Sequence, residues 1–366
     1  MIFSHFLRWV DEAPAAKRRH AASALARAWL RSELDPAERI AAEAALIRLA
    51  DDPSPKVRAA LAEVLSLSAH APAQVIAMLA ADQIEVAACV LARSPLLSDP
   101  ELVDRVALGD DAVQQFIVSR PTLSRQVSAA LAEVGGPSAC LALLNNRGAR
   151  IADVSFRRLA ERFGQDAELR GAMLRDPRLP AQCRHILLRK LSNALQAMDI
   201  VTACFDSDRA AAITEEACLC ATLNLADGLP ADELPALVEH LRLSGALTTA
   251  LVIRAVAFGK VDMFAAALVA LSGHSAAQVR GVLVNGRASL VATLLRAAGI
   301  ADTVHPPLIA ALHAWRDVAV GRLAAGPRDV SRIMLDAVGP ASDAMPYAND
   351  DLAALLRTIH VEAVRE

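Results

Sequence analysis

At 366 residues the chain exceeds what one ordinary core accommodates, leaving two domains or one extended array of repeats as the possible frames. Its apolar fraction is 54% but aromatics supply only 3%, so alanine and leucine must furnish most of the buried surface, which suits closely packed helices better than one deep globule. A formal charge of −3 excludes any global attraction to nucleic acid or to anionic membranes.

Lys17, Lys56, Lys190 and Lys260 are the only lysines among 38 basic residues. Such a bias toward arginine suits bidentate phosphate recognition, and it equally follows from a GC-rich genome. Met1 to Trp9 carries His5 and Arg8 with no apolar core behind it, so no secretory signal is expected there. The uncharged stretch Phe264 to Val279 has 16 residues, Ser, Gly and His among them, and falls short of a membrane span. Six cysteines (Cys89, Cys140, Cys183, Cys204, Cys218, Cys220) lie in apolar stretches without framework spacing. They read as buried thiols of a cytoplasmic protein.

In chain order, Asp35-Pro36-Ala37-Glu38 is a helix start, with Asp35 as cap and Glu38 completing a capping box. Ser54-Pro55 and Asp99-Pro100 repeat the device, and Thr122, Ser275 and Asn349 are further candidate caps. Over Ile151 to Phe163 the residues Phe156, Leu159, Ala160 and Phe163 share a face. Gly245, Gly259, Gly273 and Gly299 are placed as helix stops between longer helices of the second half. No stretch alternates apolar and polar residues between hairpin turns, and the expected class is all-α.

The segment Asp51-Asp52-Pro53-Ser54-Pro55-Lys56-Val57-Arg58 resembles the signature of HEAT-type repeats. Weaker echoes lead to Arg93-Ser94-Pro95 and Ser119-Arg120-Pro121, whose prolines are 26 residues apart. The expected architecture is therefore HEAT-like stacked helix pairs, an α-solenoid, over residues 1–200. A more bundle-like helical region over 201–366 either ends or continues the superhelix.

Residues from about 45 to 315 also resemble an uncharacterised bacterial family, found mostly in alphaproteobacteria, that is known only as a domain of unknown function. The resemblance is carried by the segment Asp51 to Arg58, by Leu144-Asn145-Asn146, by Leu247 to Ala255, by Phe264 to Leu268, and by Arg296 to Ile300. It implies a helical repeat fold and supplies no catalytic residues.

Candidate chemistries are few. Cys218 and Cys220 flank Leu219, but residues two apart on a helix diverge by about 200°, so they are poorly placed to share a zinc ion. No nucleophile elbow and no phosphate-binding glycine loop occurs. No enzyme, cofactor or metal site is expected.

Charge is patterned instead. The balance of Lys and Arg against Asp and Glu is −6 over 61–119, +7 over 120–190, −8 over 191–240 and +5 over 241–300. Such blocks either complement a protein partner or neutralise one another between neighbouring helices. Within the positive block, Arg147, Arg150, Arg157, Arg158 and Arg162 form the candidate binding patch. The primary expectation is a protein-interaction scaffold with an unidentified protein partner. The alternative is nucleic-acid or phospho-ligand binding through those arginines, although aromatic platforms for bases are scarce.

Overall fold

The computed structural model describes residues 9, 10, 12–338 and 346–365; the stretch read for a signal peptide lies almost wholly outside them. Among these residues the chain is helical throughout, with one isolated parallel bridge between Leu123 and Ala149. It divides into two compact units, Met1–Leu179 and Pro180–Glu366, whereas composition alone put the change of texture near residue 200.

Unit 1 contains α1 (Ala15–Arg31), α2 (Pro36–Ala50), α3 (Pro55–Leu65), α4 (Ala73–Ala80), α5 (Ile84–Arg93), α6 (Asp99–Leu108), α7 (Asp111–Val118), α8 (Arg125–Val134), α9 (Pro137–Asn145), α10 (Asp153–Phe163) and α11 (Ala167–Arg175). Their starts are chemically marked. Asp35 and Glu38 form the expected capping box on α2, and Ser98 with Glu101 forms one on α6. Ser124 rather than Thr122 caps α8, accepting from the Val127 amide at 3.3 Å.

Most helices of unit 1 pack on the helix two further along. The odd-numbered helices α1 to α11 form one continuous row; α2 packs on α4, and α6, α8 and α10 pack in turn beside them. Leu61, Leu65, Val75, Leu79, Val90, Val106, Ile117, Val127, Leu131 and Leu143 fill the space between. Burying each such side chain contributes about 1.5–3 kcal/mol.

The odd-numbered row is stitched by polar groups that reach back to the carbonyls ending the preceding helix. Arg120 donates to Leu91 O at 2.7 Å and Ser94 O at 2.6 Å. Asn146 donates to Val118 O and to Arg120 O, both at 2.8 Å. Arg178 donates to Leu144 O at 3.0 Å and Ala149 O at 2.9 Å. Carbonyls at a helix end lack intrahelical partners and carry the negative end of the dipole, so a guanidinium satisfies both needs. Nearer the N-terminus, ion pairs take this role: Arg18 grips buried Asp52, and Arg58 grips Asp82 while donating to Asp52 O at 2.6 Å. Asp52 and Arg58 of the recognised signature thus act in packing. Both carboxylates are held below their usual range, burial being outweighed by these arginine bonds.

At Gly148 the chain passes so close to its neighbour that an added Cβ would meet Pro121 O at 1.8 Å. The same crossing is held by Leu123 N to Gly148 O at 3.2 Å and Arg150 N to Leu123 O at 3.0 Å. Gly148→Ala is expected to break this bridge and cost unit 1 about 1–3 kcal/mol, read as a lowered urea midpoint at unchanged m-value.

Unit 2 contains α12 (Ala181–Gln196), α13 (Asp199–Cys204), α14 (Ser207–Asp227), α15 (Leu234–Leu243), α16 (Thr249–Ala257), α17 (Val261–Ser272), α18 (Ala276–Asn285), α19 (Ala288–Ala297), a 3₁₀ turn (Asp302–Val304), α20 (His305–Ala319), α21 (Pro327–Asp336) and α22 (Pro346–Arg365). At its centre lies α16, every residue of which from Leu251 to Ala257 is buried, touched by α14, α17, α20, α21 and α22. Residues from several directions, Phe264, Leu268, Leu308, Ala311, Leu356 and Ile359 among them, close the core around it.

Gly245, Gly259, Gly273 and Gly299 all adopt left-handed backbone, as stops require. At Gly259 the Trp315 ring would also lie 3.0 Å from a Cβ, and that indole donates to Val256 O at 2.6 Å. The helices between these glycines, α16 to α19, have only 9 to 12 residues and are no longer than those of unit 1, contrary to expectation. Asn349 does not start a helix, because α22 already begins at Pro346. Arg316 repeats the carbonyl device of unit 1, donating to Val282 O, Leu283 O and Gly286 O.

Candidate functional site

The five arginines of the proposed patch do not share one role. Arg162, on α10, donates to Ala132 O at 2.6 Å and Gly135 O at 2.9 Å, capping α8. Arg158 pairs with Glu133 at 2.8 Å. Arg147 and Arg150 precede α10 and Arg157 lies on it; all three are exposed. Arg150 also lines a cleft of about 340 Å³ with Arg120, Thr122, Ser124, Asp99 and Leu102. That cleft mixes two guanidinium groups and two hydroxyls with a carboxylate, so its capacity for an anion is partly offset.

Unit 2 holds the more unusual chemistry. Arg254 sits on the buried helix α16 with its side chain only 2% exposed. One terminal nitrogen donates to Glu216 on α14 at 2.6 Å, and the other donates to Glu362 on α22. Cys220 Sγ lies 3.9 Å from the same guanidinium, whose Nε–H has no partner among the described residues. Glu216 is held below the usual carboxylate range by a hydrogen bond from Glu362, burial opposing and Arg254 assisting. Burial and Glu216 push Glu362 up to about 7. The two carboxylates therefore share a proton near neutrality, which matches their charge to one arginine.

A second buried pair joins α12 to α15. His185 Nδ1 lies 3.1 Å from His240 Nε2, with the rings edge to face. Burial, helped by repulsion from His240 and Arg189, pushes His185 down to about 4. Cys218 lines the small cavity beside it, while Cys220, two residues on, faces Arg254. The diverging directions expected on a helix are thus observed. No group of three His, Cys, Asp or Glu residues among those described is arranged to hold a metal. Cys140, Cys183 and Cys218 are buried and Cys89 and Cys220 half-buried, but Cys204 on α13 is exposed, contrary to expectation.

A groove of about 530 Å³ lies on unit 2 between α14, α15, α17 and α18. Leu234, Val238, Met263 and Val269 floor it; the Lys260–Asp227 ion pair, 2.7 Å, sits on its rim. No helix among the described residues is long and apolar enough to cross a membrane.

Arg254 could have been singled out in the sequence, since Thr249-Ala250-Leu251-Val252-Ile253-Arg254-Ala255-Val256-Ala257 is apolar on all sides and a charge there must be buried and paired. Its partners, 38 and 108 residues away, left no local signal. No curated protein and no solved structure matches the chain. A family model does, over residues 86–346, so the match runs through both units and covers well over half of the sequence. The chain belongs to the family described as uncharacterised protein conserved in bacteria, DUF2336.

Proposed function

We propose that the protein is a non-enzymatic, cytoplasmic scaffold that holds a protein partner on a curved, HEAT-like surface of unit 1. The observation that carries this reading is an asymmetry between the two sets of helices. Ile40 on α2, Leu108 on α6, Val134 on α8 and Val154 on α10 are well exposed, Leu108 to 90%. Within the odd-numbered helices among the described residues the exposed large apolar side chain is Phe116, at 36%, and Leu67 is exposed in the turn after α3. Leu108 and Val134 are the last residues of α6 and α8 and lie 26 residues apart, so the unit repeats an apolar contact at one helix end. Apolar residues repeated along one side of a stacked array are what a protein ligand buries. Paired replacement, Leu108→Asp with Val134→Asp, is expected to abolish recovery of a co-purifying protein while the melting temperature stays unchanged. Recovery of the same protein by the variant would overturn the reading.

The second reading, an anion or nucleic-acid ligand, draws support from exposed Arg147, Arg150 and Arg157, with Arg150 on the cleft that Thr122 and Ser124 share. Fluorescence anisotropy with short DNA and RNA at two salt concentrations separates it, because phosphate contacts weaken steeply with salt. Reversal of Arg150 and Arg157 to Glu removes the binding if this reading holds and leaves the scaffold reading untouched.

A further inference from the structure

We infer that the outer end of the α12–α14 hairpin is a docking surface for a basic amphipathic helix of a protein partner. This is independent of the surface assigned to unit 1. α12 and α14 pack side by side, joined through the short α13, and α13 has no buried residue. Ser192 Oγ donates to Thr214 O at 3.5 Å, and the Gln196 side-chain amide donates to the Thr214 hydroxyl. These bonds set Leu195, beside Gln196, and Ile213, beside Thr214, at the same level of the hairpin. Met198, Ile200 and Phe205 lie on the connection between them. All five side chains are exposed, from 40% at Phe205 to 67% at Ile200. Single exposed apolar residues need no explanation, but a group of five at one end of a hairpin does.

The charge around this group selects the occupant. Asp199, Asp206 and Asp208 are exposed there, within the block that carries nine acidic residues to one basic. The one base, Arg209, lies over the Phe205 ring at 5.9 Å. A second copy of the chain would set these carboxylates against themselves. An anionic lipid surface would be repelled by them. A helix with an apolar stripe flanked by Lys and Arg answers both features, its stripe covering Leu195, Met198, Ile200, Phe205 and Ile213 and its flanks meeting the aspartates. Met198 adds an adaptable contact that tolerates different stripes.

The test uses the full chain and a fluorescent helical peptide of about 18 residues, roughly five turns, built of Leu and Lys in amphipathic order. A Leu/Glu peptide of the same pattern, phosphatidylserine-containing vesicles and sedimentation of the protein alone complete the set. The Leu/Lys peptide is expected to bind, with Kd raised at least about ten-fold by Ile200→Ser with Phe205→Ser, two apolar contacts being lost. Asp199→Asn with Asp208→Asn is expected to weaken binding and flatten its salt dependence. Because these positions are exposed, an unchanged circular dichroism melt separates lost docking from lost fold. Equal binding of the Leu/Glu peptide, binding indifferent to both variants, vesicle association, or self-association abolished by Ile200→Ser would overturn the proposal.

Discussion

Arg254→Ala is expected to destabilise unit 2 by about 3–5 kcal/mol, the cost of breaking a buried ion pair by removing one partner. The substitution deletes the cation that joins Glu216 to Glu362 and leaves a void on α16, where Leu251 to Ala257 are all buried. The carboxylates then face each other at the junction of α14, α16 and α22 with one proton to share. Hydrogen exchange followed by mass spectrometry provides the measurement: protection should fall throughout 180–366, first in α22, and stay unchanged in the residues before 180. Arg254→Met keeps the volume but not the charge and should be nearly as damaging. Adding Glu216→Gln and Glu362→Gln to Arg254→Met should recover much of the loss, since a neutral site no longer holds unpaired charge. A loss below about 1 kcal/mol for Arg254→Ala would mean that water reaches the cluster and solvates it.

How the sequence encodes the fold differs between local and distant features. Caps and stops are written in adjacent residues, so Asp35 with Glu38 and the left-handed Gly245, Gly259, Gly273 and Gly299 could be read directly. The helical class followed from the same punctuation and from apolar spacing. The division of the five patch arginines could not be read this way. Arg162 reaches carbonyls 27 and 30 residues back, and nothing beside it distinguishes that use from the exposure of Arg157. The +7 balance of 120–190 counts Arg120, Arg162 and Arg178 as surface charge, although all three serve as covers for helix ends. A charge balance overstates an electrostatic surface wherever guanidinium groups are spent on backbone carbonyls. The exposed end of α13 was hidden for the opposite reason: Cys204 and Phe205 look like core residues by type, and only the arrangement of α12 and α14 leaves them in solvent.

Acid should destabilise unit 2 through His185 by a calculable amount. Its ordinary pKa is 6.5, and in the folded protein burial, with His240 and Arg189 adding repulsion, pushes it down to about 4. Between these values the unfolded chain binds the proton and the folded one does not, so stability is intact above pH 6.5 and falls as pH drops toward 4. The full difference corresponds to about 3 kcal/mol, at 1.36 kcal/mol for each pH unit. Glu362 has the reverse sign. Raised to about 7 from 4.5, it holds a proton in the folded state that the unfolded chain has lost, so its contribution declines as pH rises through 7. The two windows overlap with opposite slopes, so urea unfolding of unit 2 should show little change in stability between about pH 4.5 and 6.5 and a loss on either side of that range. His185→Gln removes the rise with pH and should leave stability falling from about pH 4.5 to 7, because the glutamine amide can still meet His240 without titrating. Glu362→Gln removes the fall and should leave stability rising from about pH 4 to 6.5. A profile unchanged by His185→Gln would place the responsible proton elsewhere and show that the α12–α15 contact tolerates a charged imidazole.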